Sequence, residues 1–320
     1  MTRPIQCSVQ RRSIPNLGHD LGPRADAFLA AIDDLGVSIE LFDQRPYAPE
    51  LRRIKSALDD RGIEIGTVHG GHLQPLLNRE NGVSKLMTQV RHLHLASVID
   101  QTPSESLTPQ VSTHHPPLIS EGSSFDIDTA KKSLLKRFDE ALEVLEPDDD
   151  REHLDADVFD GNLITASVTI ENVAPRGPHE YVLVTPRDVE MLSRTASDLG
   201  ITDSLAFTCD VGHTQRPSEM LRGMDPIENV HLHSTVSKPS SAASRIRNRY
   251  GISSEQSLGL EDRAGIAHHL PPHVGSLDLP GVLDTLDDIS YEGPLTIELH
   301  DTYRTADIVY ETVEAIAKYH

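Results

Sequence analysis

Side chains that can bind a metal ion or move a proton recur where the short apolar runs of this sequence end. The two carboxylates Glu171 and Glu298 each follow the same Thr-Ile pair. Asp210 ends a third apolar run, and His231 and His233 lie two residues apart in a fourth. Because side chains of a strand alternate between its two faces, His231 and His233 are expected to point to the same side.

Glu171 and Glu298 would face each other if their strands belong to one closed sheet. Two carboxylates buried together without a cation repel, and at least one of them becomes protonated. Asp210 and His231 from the intervening strands add an oxygen and a nitrogen ligand. This mixed donor set suits Mn²⁺, Mg²⁺, Co²⁺ or Zn²⁺ better than a thiolate-preferring metal. We therefore expect one divalent metal ion at these four residues, with further ions left open.

Histidines concentrate near the same strand ends. A single strand-end histidine is more often a hydrogen-bonded core residue than a ligand, and a single glutamate such as Glu298 can be a salt-bridged structural carboxylate. The clustering of the whole set is what favours a site. Eleven of the 17 histidines lie at predicted strand ends or in the following loops: His69, His72, His114, His115, His213, His231, His233, His268, His269, His273 and His300.

Apolar runs of strand length alternate along the chain with segments of helical periodicity. The predicted strands are Ile5–Ser8, Val37–Phe42, Ile63–His69, Gln110–His115, Ile164–Glu171, Ser204–Asp210, Val230–His233 and Leu295–Leu299. The predicted helices are Arg24–Leu35, Pro49–Arg61, Val83–Val98, Ile127–Leu145, Pro186–Leu199, Pro217–Met224, Leu279–Leu286 and Thr305–Lys318.

This alternation predicts the fold class. Strands that alternate with helices pair in parallel through right-handed crossovers. Eight such units predict an α/β protein, a single (β/α)₈ barrel spanning residues 1–320, with its site at the carboxyl ends of the strands. Residues 234–267 lack convincing periodicity and are predicted to form a long loop, which in a compact domain is usually functional or disordered.

Composition excludes several classes of protein. The 320 residues include 29 Lys plus Arg and 50 Asp plus Glu, a formal charge of −21, which disfavours nucleic-acid and anionic-membrane partners. Two cysteines exclude a disulfide framework, and no stretch is apolar enough to span a membrane, so a cytoplasmic location is expected. Only seven of the 29 cationic residues are Lys. This acidic, Lys-poor composition predicts adaptation to a saline, halophilic cytoplasm.

Four motifs resemble those of the xylose-isomerase-like TIM barrels, a superfamily that includes sugar-phosphate isomerases and epimerases and the endonuclease IV group. The resemblance extends from Ile39-Glu-Leu to Ile297-Glu-Leu. The segment that begins at His269 is similar to the family's His-Leu-Pro-Leu-Gly-x-Gly-x-Ile-Asp. The motifs are Ile170-Glu-Asn-Val-Ala-Pro175, Asp210-Val-Gly-His213, His231-Leu-His233 and His269–Asp278.

The resemblance implies that Glu171, Asp210, His231 and Glu298 bind the principal divalent cation. It also implies that Glu171 and Glu298 are catalytic. One glutamate takes a proton from the carbon next to a carbonyl, the metal stabilises the enediolate oxygens, and the other glutamate returns a proton. The chain would then be a metal-dependent isomerase or epimerase of a small sugar, sugar phosphate or polyol. Dehydration of a cyclic polyol would use the same groups.

The endonuclease IV group gives an alternative, a metal-dependent phosphodiesterase that acts at abasic sites in DNA. Its first-metal histidines match His69 and His115, and its third-metal histidines match His213 and His269. Ala267 stands where that group has an Asp ligand, and the chain lacks an Arg- and aromatic-rich surface for a flipped-out strand. Because several of these histidines also occur in sugar-acting members, the four are candidates for additional metal or substrate binding. A barrel that binds without catalysis is disfavoured by the four retained ligands.

Overall fold

The strands and helices of this computed structural model follow the β/α alternation of the sequence. The structure describes residues 3–10, 23–43, 48–78, 82–86, 110–119, 126–145, 166–175, 180–262 and 264–319. The strands are β1 (Ile5–Gln10), β2 (Ser38–Phe42), β3 (Ile65–His72), β4 (Gln110–His115), β5 (Leu118–Ile119), β6 (Ala166–Glu171), β7 (Glu180–Tyr181), β8 (Phe207–Asp210), β9 (Ile227–Leu232), β10 (Ser234–Ser237), β11 (Leu260–Glu261), β12 (Ile266–Leu270) and β13 (Leu295–Ile297).

In the described part of the chain, helices separate successive barrel strands, and one more helix follows the last strand, as the alternation predicts. They are α1 (Pro23–Asp34), α2 (Ala48–Asp59), α3 (Gln74–Asn78), α4 (Ile127–Leu145), α5 (Pro186–Leu199), α6 (Pro217–Gly223), α7 (Ser241–Tyr250), α8 (Leu279–Asp288) and α9 (Ala306–Ala317). Residues 82–86 are also helical, and the rest of the predicted helix Val83–Val98 lies outside the described residues. None of the described helices is long and apolar enough to cross a membrane.

Eight of the strands close into a barrel in the order β1-β13-β9-β8-β6-β4-β3-β2. All neighbours pair in parallel, and the ring closes where Cys7 of β1 lies opposite Ile297 of β13. The predicted (β/α)₈ barrel is therefore confirmed. All the carboxyl ends of a parallel barrel open at one mouth, so the polar residues that end these strands must share that mouth.

The helices cover the barrel with apolar stripes. In α4 the buried apolar positions are Ala130, Leu134, Leu135, Phe138 and Ala141, which repeat at helical spacing. The amino end of α5 is fixed by a capping box between Thr185 and Asp188, and its carboxyl end by the left-handed Gly200. These local signals explain why the predicted bounds of α4 and α5 agree with the structure.

The segment predicted as a long loop, residues 234–267, contains regular structure instead. Strands β10, β12 and β11 form an antiparallel sheet, and α7 lies between β10 and β11 in the chain. β10 has four residues and β11 has two, which is too few to show the alternation of buried and exposed side chains that identifies a strand. Helix α7 buries only Ala243 and Ile246, so its apolar stripe is too narrow to stand out among Ser and Arg.

Polar side chains fill the barrel interior below the strand ends. The amide of Gln6 donates hydrogen bonds to the hydroxyls of Thr67 and Thr296, at 2.8 and 2.6 Å. Thr208 is bonded to Thr113 at 2.9 Å and to Thr169 at 2.6 Å. Each of these residues except Gln6 lies two positions before a polar strand-end residue, so alternation places it one layer deeper.

Candidate functional site

The mouth of the barrel brings together Glu171, Asp210, His231 and Glu298. One potential ligand atom of each lies within 4.8 Å of those of the other three. Glu171 and Asp210 end β6 and β8, His231 is the penultimate residue of β9, and Glu298 directly follows β13. Glu298 is 8% exposed, and the other three are 0–1% exposed. Four side chains that are far apart in sequence thus form one buried group.

Glu171 is surrounded by imidazole rings. Its Oε1 lies 2.9 Å from Nδ1 of His231, and its Oε2 lies 3.1 Å from Nε2 of His69 and 3.2 Å from Nε2 of His115. Burial raises the pKa of Glu171, but the charges of His115 and His231, with hydrogen bonds from His231 and His69, hold it well below its usual range. Glu171 is therefore an anion held in place from three sides.

Glu298 has a looser environment. Its Oε2 lies 3.7 Å from Nδ1 of His269 and 3.9 Å from Nδ1 of His231, beyond hydrogen-bonding distance. Burial raises the pKa of Glu298, and the neighbouring charges of Asp210 and Glu171 raise it further against the opposing charge of His231. The two glutamates thus differ in both restraint and electrostatics.

Asp210 is held by the turn that follows it. Its Oδ1 accepts hydrogen bonds from the backbone N–H groups of Gly212 and His213, at 2.8 and 3.1 Å, and its Oδ2 lies 2.9 Å from Nδ1 of His213. Asn172 bridges β6 and β8 by pairing its amide with the backbone of Asp210. Burial raises the pKa of Asp210, but His213 and His233 hold it well below its usual range.

His233 supports Asp210 from the opposite side. Its Nε2 lies 3.0 Å from Oδ1 and 3.1 Å from Oδ2 of Asp210. The backbone N–H of His269 points at Nδ1 of His233 at 3.1 Å, and the carbonyl oxygen of Ser234 lies 3.2 Å from the same nitrogen. Nδ1 of His233 thus faces both a backbone donor and a backbone acceptor, so these contacts hold the ring in place and leave both tautomers open, while Nε2 faces Asp210.

A second group of possible ligands is formed by His213, His233 and His269. Within this group, His233 contacts Asp210 through Nε2 and the backbone of His269 and Ser234 through Nδ1. The Nε2 atoms of His213 and His269 are buried and have no hydrogen-bond partner among the described residues. Nδ1 of the neighbouring His268 is likewise buried without a partner among the residues described.

All four histidines predicted as additional binding residues border the carboxylates. His69 and His115 contact Glu171, His213 contacts Asp210, and His269 faces Glu298. Phe42 packs edge-on against the ring of His69, with centroids 4.5 Å apart. The four histidines are thus distributed over three carboxylates, two at Glu171, one at Asp210 and one at Glu298.

Sequence reasoning left two contributing residues out of the site, Glu40 and His233. The two-residue spacing placed His233 on the same side as His231, but the sequence assigned it no role in the site. Glu40 lies on β2 and is fully buried, with its Oε2 3.0 Å from Nε2 of His231. Its only signal in the sequence is a charged residue between Ile39 and Leu41 in an otherwise apolar strand.

The donor set matches the requirements of a divalent cation. Three carboxylates meet one imidazole in a buried space, and within the described part of the chain their charged partners are all histidines. Carboxylates packed this closely need positive charge, and oxygen with imidazole nitrogen suits first-row divalent ions and Mg²⁺.

Comparisons with known proteins agree with this fold. The sequence profile of a family described as xylose isomerase-like TIM barrel matches residues 29–319. No curated protein sequence matches the chain.

Solved structures share the fold over nearly the whole chain. A D-tagatose 3-epimerase-like protein is 15% identical, with a TM-score of 0.56 over 98% of this chain and 99% of its own. The 3-keto-D-glucoside 4-epimerase of E. coli is 13% identical, with a TM-score of 0.58 over 99% and 100%. The D-allulose 3-epimerase of Methylomonas sp., solved with D-allulose, is 12% identical, with a TM-score of 0.59 over 100% and 98%. At these identities the likeness is one of fold.

Proposed function

The chain belongs to the xylose isomerase-like TIM barrel family, and from this premise we propose that it is a divalent-metal-dependent epimerase or isomerase of a small sugar or polyol. The observation that carries the proposal is the meeting of Glu171 and Glu298 with Asp210 and His231 within 4.8 Å at the barrel mouth. The structural neighbours named as sugar epimerases support the substrate class.

Glu171, Asp210, His231 and Glu298 would hold the cation. When bound there, a divalent ion supplies a Lewis acid that polarises a carbonyl oxygen and makes the adjacent carbon more acidic. The protein's own contribution is to fix these groups before substrate arrives. Asp210 is fixed by Gly212 and His213, and Glu171 by the surrounding imidazoles.

Glu171 and Glu298 are the proposed proton-transfer pair. One takes the proton from the carbon next to the carbonyl, and the other delivers a proton to the opposite face of that carbon or to its neighbour. The first outcome is epimerisation and the second is isomerisation. Glu298, with its long contacts of 3.7 and 3.9 Å, has more freedom to approach a substrate than the firmly held Glu171.

His213 and His269 are proposed to bind substrate hydroxyls. Their buried Nε2 atoms have no partner among the described residues, and both rings lie beside the carboxylates. Leaving such an atom unpaired is costly, so a polyhydroxylated ligand that pairs with it gains affinity and orientation.

The test is exchange of a carbon-bound hydrogen with solvent. The purified protein, loaded with Mg²⁺ or Zn²⁺, is incubated in D₂O with D-fructose, D-allulose and a panel of other ketoses and polyols, followed by proton NMR. We expect deuterium to enter next to the carbonyl as a second sugar forms. Glu171→Gln and Glu298→Gln should each slow exchange by at least about 100-fold, since positioned proton transfer contributes roughly that much.

Glu190→Gln is the matched control, because the same change at an exposed residue of α5 that pairs with Arg194 leaves the mouth intact. Exchange at the wild-type rate in both mouth variants would refute the proton-transfer pair. Nicking of an abasic-site DNA duplex that is lost in Glu171→Gln would replace the proposal with the phosphodiesterase alternative.

A further inference from the structure

Glu40 lies below the four proposed ligands, inside the barrel. It is the middle residue of β2 and has no solvent exposure. Isolated carboxylates are expensive to bury, so a fully buried glutamate must be compensated by specific donors. It belongs to neither of the two groups of possible ligands that contain His231, and it makes no direct contribution to the proposed proton transfer.

Three donors converge on one oxygen of Glu40. Its Oε2 lies 3.0 Å from Nε2 of His231, 2.9 Å from Nδ2 of Asn229 and 3.4 Å from the hydroxyl of Thr67. The contact with His231 joins residues 191 positions apart in the sequence. The carboxylate of β2 therefore reaches across the barrel interior to the back of a proposed metal ligand on β9.

The two ring nitrogens of His231 face different partners. Nε2 faces Glu40, whereas Nδ1 faces the carboxylates of the mouth, 2.9 Å from Glu171 and 3.9 Å from Glu298. Only Nδ1 is therefore on the side where an ion would be shared with these carboxylates.

Asn229 could in principle donate to the same nitrogen, since its Nδ2 lies 3.0 Å from Nε2 of His231. The surrounding network fixes the amide. Gln6 donates to the hydroxyl of Thr296, and that hydroxyl then donates to Oδ1 of Asn229 at 2.8 Å. Nδ2 is thereby directed at Glu40, and an ionised carboxylate between two N–H groups accepts from both.

We propose that Glu40 is a positioning residue that keeps the proton of His231 on Nε2, so that Nδ1 is the nitrogen presented to the divalent ion. The Nε2–H group donates to Glu40, which fixes both the tautomer and the rotation of the ring. Carboxylates that accept from the second nitrogen of a ligand histidine orient the ring and increase its basicity. This role rests on the proposed function only in treating His231 as a ligand.

Zn²⁺ alone is the probe, used with the full-length protein. Protein labelled with ¹⁵N-histidine is loaded with Zn²⁺, and long-range ¹H–¹⁵N spectra report which ring nitrogen carries the proton. The signals of His231 are identified by their loss in His231→Gln. We expect an Nε2–H tautomer for His231 in the wild type. In Glu40→Gln the dissociation constant for Zn²⁺, measured against a competing chelator, should rise about 10- to 100-fold.

Two further variants separate positioning from a general loss of structure. Thr312→Val removes a buried hydroxyl of α9, which donates to the carbonyl oxygen of Ile308. This variant should leave the Zn²⁺ affinity within about threefold of wild type, well under the loss expected for an orienting carboxylate. Glu40→Asp keeps the negative charge on a shorter side chain, so its affinity should lie between those of the wild type and Glu40→Gln.

The inference is overturned if His231 in the Zn²⁺-loaded wild type carries its proton on Nδ1, a result that needs no variant to fold. It is equally overturned if folded Glu40→Gln binds Zn²⁺ as tightly as Thr312→Val does. A wild-type protein that binds no divalent ion would instead refute the metal dependence of the proposed function.

Discussion

The sequence indicates the roles of some residues of the mouth and not of others. Glu171, Asp210 and Glu298 are recognisable because each is a carboxylate directly after an apolar run, where a parallel barrel gathers its functional groups. Glu40 could not be assigned a role from sequence, because its partner His231 is 191 positions away and only the closed barrel makes them neighbours. The ring of His233 is contacted by a backbone N–H from a different strand, a long-range contact that no sequence pattern records.

Gly212 is required by the packing of His233 behind Asp210. A Cβ at this position would collide with ring atoms of His233. Gly212→Ala should therefore displace that ring and destabilise the protein by about 1–3 kcal/mol, the usual cost of overpacking a buried site. Urea unfolding monitored by circular dichroism measures this loss.

Gly223→Ala provides the comparison for Gly212→Ala. A Cβ at Gly223, the last residue of α6, has Val189 Cγ1 as its nearest neighbour at 3.8 Å, an ordinary contact. The free energy of unfolding of Gly223→Ala should stay within about 0.5 kcal/mol of the wild-type value. Equal losses in the two variants would show that the ring of His233 does not require the glycine.

Elements were predictable in proportion to their length and their amphipathicity. The 19 residues of α4 and the 14 residues of α5 show several helical turns of apolar spacing, and their predicted bounds match the structure. The short sheet β10–β12–β11 and the polar helix α7 carry too few buried positions to produce a pattern. This sheet nevertheless reaches the mouth, because β12 contributes His269.

The backbone is strained just after the carboxyl end of α8, at a position where glycine would relieve the strain. Ser290, two residues beyond the helix, has a left-handed φ of 54° and an exposed side chain. A residue other than glycine destabilises the folded state by about 1–2 kcal/mol in this conformation. Glycine removes this cost but loses more conformational entropy on folding, so only part of it is recovered. Ser290→Gly should raise the free energy of unfolding by about 0.5–1 kcal/mol, which thermal or urea unfolding will detect.

Ser290→Ala distinguishes relief of backbone strain from removal of the hydroxyl. Alanine keeps its Cβ and therefore keeps the strain, so this variant should be no more stable than the wild type. An equal gain in the alanine and glycine variants would contradict the explanation based on φ.

The molecule as a whole carries an excess of negative charge that the barrel architecture does not require. Its 50 acidic residues exceed its 29 Lys and Arg residues by 21. Self-repulsion of such a surface disfavours the compact state, and dissolved salt screens it. The interpretation of this composition as adaptation to saline surroundings stays a prediction.

Stability should therefore rise with ionic strength. Between about 0.1 and 1 M KCl the screening length falls from about 10 to 3 Å, so the midpoint of thermal unfolding is expected to increase over this range. Replacing the exposed Asp198 and Asp203 with Lys should reduce the dependence on salt. A midpoint that is constant or falls with added KCl would contradict the prediction.

The place of β13 in the ring also has a consequence for synthesis on the ribosome. This strand lies between β1 and β9, so the sheet keeps two open edges until nearly all of the chain has emerged. Open edges invite pairing with other chains, which makes the nascent protein a candidate for chaperone protection at this stage. Glu298 directly follows β13 in the sequence. The last strand of the barrel and the last carboxylate of the mouth are therefore synthesised together.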